Sequence, residues 1–127
     1  MLRGAEARFA ARKITPEAIE RMRGYVDELV ASRDSLSLAQ QFDMAQRFDA
    51  EIARAAANPA LRSLIDSYAI YGADYRLSRA AEDAKDPGWV ETRIADHRAI
   101  LEVLAAGDED AAERVMRGHA RSAIKNL

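Results

Sequence analysis

A chain of 127 residues, 49% hydrophobic and 31% charged, has the size and balance of one domain with a core of its own. The absence of Cys excludes disulfides, thiolate nucleophiles and thiolate metal sites, and six Gly, three Pro and an apolar content carried by Ala, Leu and Ile favour helix over sheet. A net charge of −2, a pI near 5.7 and scattered Lys and Arg lack the footprint of a nucleic-acid-binding segment, while no apolar run reaches a membrane span or a secretory signal, so a cytoplasmic protein without a membrane partner is expected.

Residues 2–13 read as a first short helix. Thr15-Pro16-Glu17 then supplies an N-cap, a first-turn proline and a first-turn acid for a second helix running to about Ser32. Along it Ile19, Met22, Val26, Leu29 and Val30 recur at three-to-four spacing, one buried face that Gly24 weakens slightly. Asp34-Ser35 interrupts the pattern. A third helix is predicted from about Leu36 to Ala57, with Phe42, Ala45, Phe48, Ile52 and Ala56 on one side. Asn58-Pro59 ends it, and the proline opens a fourth helix over about 59–82 that carries Leu61, Leu64, Ile65, Tyr68, Tyr71 and Tyr75. Lys85-Asp86-Pro87-Gly88 reads as a loop. The fifth helix spans about Trp89 to Ala106 and is closed by Gly107, and Asp108 caps a sixth whose first turn holds Glu109 and Asp110. Six helices with short connections, and no repeat or long linker, make a single all-α antiparallel bundle over residues 1–127.

The two histidines of the chain stand on either side of the Gly107-Asp108 turn. His97 is ten positions before Gly107 and His119 eleven after Asp108, so a rise of about 1.5 Å per residue brings the imidazoles of an antiparallel pair to one level. Each lies on an apolar stripe, His97 with Ile94, Leu101 and Leu104, His119 with Ala112, Val115, Met116 and Ala123. Asp49 shares the stripe of Phe42, Ala45, Ile52 and Ala56, where a carboxylate is expensive to bury unpaired, whereas Asp43 falls on the polar side. His97, His119 and Asp49 together fit two descriptions: a two-His-one-carboxylate centre for zinc, nickel, manganese or iron, or a buried His–Asp hydrogen bond. Tyr68, Tyr71 and Tyr75 fit either a ligand-cavity wall or plain core, and Arg76 and Arg79 either a grip on a ligand carboxylate or a solvated face. The apolar face of the second helix, with Leu36 and Leu38, fits a dimer contact as well as the bundle's own core. No nucleophile motif, phosphate loop or nucleotide fingerprint is present. The alternative of a small helical metalloenzyme therefore rests on the two-His-one-carboxylate set alone.

Three segments, taken together, resemble a known family. Phe48-Asp49-Ala50-Glu51-Ile52 with Ala55-Ala56-Ala57-Asn58-Pro59-Ala60-Leu61, Asp96-His97-Arg98-Ala99-Ile100-Leu101 with Ala105-Ala106-Gly107-Asp108, and Met116-Arg117-Gly118-His119 are similar to the FCD domain. That is the effector-binding, dimerising C-terminal domain of FadR-type GntR transcriptional regulators. Ala10-Ala11 before Thr15-Pro16-Glu17 fits its opening, and the likeness covers essentially the whole chain. The resemblance implies a homodimeric helical bundle that is not an enzyme. It binds a small organic acid, often beside a divalent metal, and passes occupancy to a winged-helix domain, so DNA is reached only through a segment separate from this chain. In metal-binding members an Asp and a His four apart on one helix join two further histidines as ligands. His97 and His119 match the last two, while Asp49 stands at the position of the first His and Ala45 at that of the Asp. The expected site is thus His97, His119 and Asp49 holding a metal or the ligand's carboxylate, with Tyr68, Tyr71, Tyr75 and Arg76 lining the cavity.

Overall fold

Local capping chemistry sets the helix boundaries. The computed structural model describes residues 2–35, 37–67 and 88–124. Helix α1 spans Leu2–Lys13 and α2 spans Pro16–Ser32. Between them Thr15 is extended, and its hydroxyl accepts a bond of 3.2 Å from the Ala18 N–H, as the cap-proline-acid signal requires. Helix α3 spans Leu38–Ala56, two residues later than the apolar pattern suggests. A reciprocal capping box explains the shift: Gln40 N–H donates to Ser37 Oγ (3.2 Å) and Ser37 N–H to Gln40 Oε1 (2.8 Å). Ala57 leaves the helix in the left-handed region, at φ 50°, and Asn58 Oδ1 accepts from Leu61 N–H at 3.1 Å to open α4, helical over 59–67.

Helix α5 spans Trp89–Ala105 and α6 spans Glu109–Ile124. Their connection is a left-handed C-terminal motif: Gly107, at φ +68°, donates to Leu104 O (3.0 Å) and Asp108 N–H to Val103 O (3.2 Å). Asp108 Oδ1 then accepts from Ala111 N–H at 3.0 Å, the predicted cap of α6. No strand occurs among the described residues. The all-α expectation holds.

Helix α1 packs chiefly on α6 and α3, while α2 packs on α5 and α3, and α5 on α6. Small residues let α1 lie centrally: Ala7, Ala10 and Ala11 are buried, and a Cβ at Gly4 would come within 3.0 Å of Arg117 Cγ. Phe48, Met22, Ile52, Leu104 and Met116 are fully buried, each stabilising by about 1.5–3 kcal/mol relative to exposure. The α2 stripe of Ile19, Met22, Val26 and Leu29 is spent on this core; the side chains of Leu36 and Leu38 lie outside the described set. Ion pairs fix the helix register further. Arg8 reaches Asp110 and Glu113, and Arg12 reaches Glu109 at 2.6 Å, drawing α1 onto the acidic first turn of α6. Buried Glu51 takes a two-point grip of 3.0 Å contacts from Arg21 of α2, which holds its carboxyl below the usual range.

Candidate functional site

The tight Gly107-Asp108 turn makes α5 and α6 an antiparallel pair, and nearly equal distances from that turn bring the two histidines level. Their ring centroids lie 6.4 Å apart at an interplanar angle of 45°. His97 is buried in the stripe of Ile94, Ile100, Leu101 and Leu104, with the Phe48 ring against it at 4.7 Å. Burial first, and the Arg93 charge next, press its pKa down to about 4, against the opposing pull of Asp49 and Asp96. At neutral pH the imidazole is uncharged. His119 is half-buried and its Nδ1 lies 3.2 Å from Asp96 Oδ2. With the proton on Nδ1 it donates that bond, which leaves Nε2 as an acceptor in the neutral ring.

Asp49 follows Phe48 on α3 and sits at the edge of the site rather than within it. Its Oδ2 is 2.5 Å from Arg3 Nη2 of α1, with about a third of each side chain exposed. It still acts electrostatically on His97 and on Arg93. The fold thus brings the two imidazoles together and places the third expected donor beside them, but Asp49 is committed to Arg3 and His119 Nδ1 to Asp96. Among the described residues no group of three or more His, Asp or Glu side chains is arranged to hold a metal ion. Two imidazoles on one tetrahedral zinc, with Zn–N about 2.0–2.1 Å, would place their centroids about 5 Å apart, closer than the 6.4 Å found here. These side chains, as arranged, do not fit a tetrahedral zinc. Tyr68, Tyr71, Tyr75, Arg76 and Arg79 lie outside the described residues.

Three participants escaped the sequence reading. Asp96 adjoins His97 in the chain and points to α6. Arg93 lies one turn before His97, so the i, i+4 rule could have placed it on the same side of α5. Arg3 carries no local signal, since its partner is set by how α1 crosses α3. The Arg93 guanidinium carbon is 5.0 Å from the Trp89 ring centroid. Burial lowers its pKa while Asp49 and Asp96 oppose, yet a guanidinium stays protonated in proteins. The result is a polar nest in an apolar bundle: a fixed cation, a neutral buried imidazole and a half-buried one with an acidic partner. Such a set can hold an anion through charge and N–H donors.

Known proteins agree with this architecture. Among solved structures, E. coli McbR/YncC matches with a TM-score of 0.79 at 16% sequence identity, over 98% of this chain and 60% of that one. The likeness is one of fold, and the present chain spans less than two thirds of its counterpart. No curated protein sequence matches. The family model of the FCD domain matches residues 1–122 of the 127. Since that match covers nearly the whole chain and takes in both histidines and the hairpin between them, the chain belongs to the FCD domain family.

Proposed function

We propose that this chain is the effector-sensing and dimerising domain of a GntR/FadR-type transcriptional regulator, and that a small organic acid binds at the His97–His119 end of the bundle. Membership of the FCD family supports a regulatory rather than catalytic role. The observation that carries the placement is the pair of imidazoles 6.4 Å apart, one buried and neutral, beside the cationic Arg93. A carboxylate entering this nest meets charge and N–H donors in a low-dielectric surround, where each is worth more than in water.

Occupancy matters for regulation only if the acid binds one conformation better than another. Helix α1 is positioned to register the difference, because Arg3 ties it to Asp49 at the site edge and Arg8 and Arg12 tie it to α6. DNA would be reached through a separate winged-helix segment, and the homodimer would carry the shift between two geometries. Zinc, nickel or manganese would need Asp49 released from Arg3, and so would the alternative of a two-His-one-carboxylate metalloenzyme.

Differential scanning fluorimetry against a panel of carboxylic acids, with and without divalent metals, tests the proposal. A ligand at about 100 times its Kd stabilises the folded state by roughly 2.7 kcal/mol, a readily measured rise in Tm. A folded protein that responds to no acid in either condition refutes it.

A further inference from the structure

We propose that Arg93 is the residue that grips the effector's carboxylate, as a cation built into the fold, so that acid binding at this site needs no divalent metal. The proposal rests on the effector-sensing function above and names the group that does the recognising.

The arginines of the bundle make the case by contrast. Those half-buried elsewhere each close on a carboxylate: Arg3 on Asp49 at 2.5 Å, Arg8 on Glu113 at 3.1 Å, Arg62 on buried Glu6. Arg93 is half-buried too, and among the described residues it forms no ion pair. Its guanidinium carbon lies over the Trp89 ring, 5.0 Å from the centroid, a contact that takes up none of its charge. The guanidinium is a planar fork of five N–H donors that matches a carboxylate bidentately. Desolvating such a group without an anion is costly, and a carboxylate accepting two parallel N–H bonds removes the cost.

Position completes the argument. Arg93 stands one helical turn from His97 on α5, and the charges it feels are those of Asp49 and Asp96, the carboxylates that border the imidazole pair. Both are already engaged, Asp49 by Arg3 and Asp96 by His119. Among the described residues no carboxylate is left to complete the Arg93 fork, so the anion comes from a ligand, and the neutral His97 ring can donate its one N–H to a remaining lone pair. A permanent cation here also repels a divalent one, consistent with a donor set that does not assemble around a metal.

Lactate, succinate, benzoate and citrate serve as probes, titrated into protein stripped with phenanthroline, a chelator that is not itself a carboxylate, and followed by the imidazole NMR resonances and by calorimetry. At least one probe should bind saturably without metal, Arg93→Met should weaken it roughly tenfold or more, and Arg93→Lys, which keeps the charge but loses the fork, should fall between. Circular dichroism checks that the variants fold, and if Arg93→Met does not, the wild-type comparison and Arg93→Lys decide. Binding that appears only on adding zinc, nickel or manganese overturns the proposal, as does an Arg93→Met protein that binds as tightly as its parent. If no probe binds with metal or without it, the effector-sensing function itself has failed.

Discussion

Acidification should destabilise this bundle through one side chain, His97. Its imidazole titrates near pH 4 in the folded protein against an ordinary 6.5, so between these values the unfolded chain binds a proton that the folded one refuses. A depressed pKa on a base makes the folded state favourable above 6.5 and progressively less so as pH falls toward 4. The apolar packing of Phe48, Ile94 and Leu101 removes water, Arg93 and His119 oppose a positive charge, and Asp49 and Asp96 only partly offset them. A shift of this size corresponds to about 3 kcal/mol once pH is below both values, and about 2 kcal/mol between pH 7.5 and pH 5. Urea denaturation of metal-free protein across that range measures the loss. Glu51, whose carboxyl is held low by Arg21, contributes a slope of its own, so His97→Gln, which cannot titrate, supplies the baseline, and the difference between the two proteins isolates His97. Direct NMR titration of the His97 ring gives the midpoint independently. A midpoint near 6.5, or equal pH slopes in both proteins, would show that the ring is solvated and that the interior described for it is wrong.

Two further perturbations probe the frame and the site. Gly24 sits exposed inside α2 with nothing within 4 Å of a Cβ built on it, whereas Gly107 holds φ +68°; Gly24→Ala should therefore raise stability by about 0.5–1 kcal/mol, and Gly107→Ala lower it by about 1–2 kcal/mol, in thermal or urea unfolding. Placing Asp at Ala45 and His at Asp49 releases Arg3 from its partner and adds two donors near His97 and His119, so zinc affinity by calorimetry should increase roughly tenfold or more over the parent. No gain would mean that α3 does not converge on the imidazole pair.

Legibility in the sequence followed the range of the forces involved. Helix ends depend on a few consecutive residues, which is why Thr15, Asn58 and Asp108 cap where their types suggest. The start of α3 shows the same reason turned around. The apolar residue at position 36 prolongs the periodic pattern, but the Ser37–Gln40 box satisfies two amide donors, and that local chemistry outweighs periodicity. The imidazole pair was also accessible, because one glycine turn and a constant helical rise determine which residues of α5 and α6 stand level.

Asp49 shows where this reach ends. A period of 3.6 places a residue on a face to within a side chain's width, and Asp49 lies at the margin of its stripe, where a rotation of α3 by a few tens of degrees decides between core and edge. That rotation is set by the packing of α3 against α1, whose small residues allow close approach and bring Arg3 to the margin. Once Arg3 is there, a charge-assisted contact at the edge is available without the desolvation that a carboxylate between two imidazoles would incur, so Asp49 pairs outward. Arg93 follows the complementary logic. Read alone, a charge flanking an apolar stripe looks solvated, but α5 is covered on several sides by α2, α1 and α6, and the flank that would be wet on a lone helix is partly enclosed here. Which charges close on one another is decided by contacts between helices distant in the chain, as the Arg3–Asp49 pair between α1 and α3 shows.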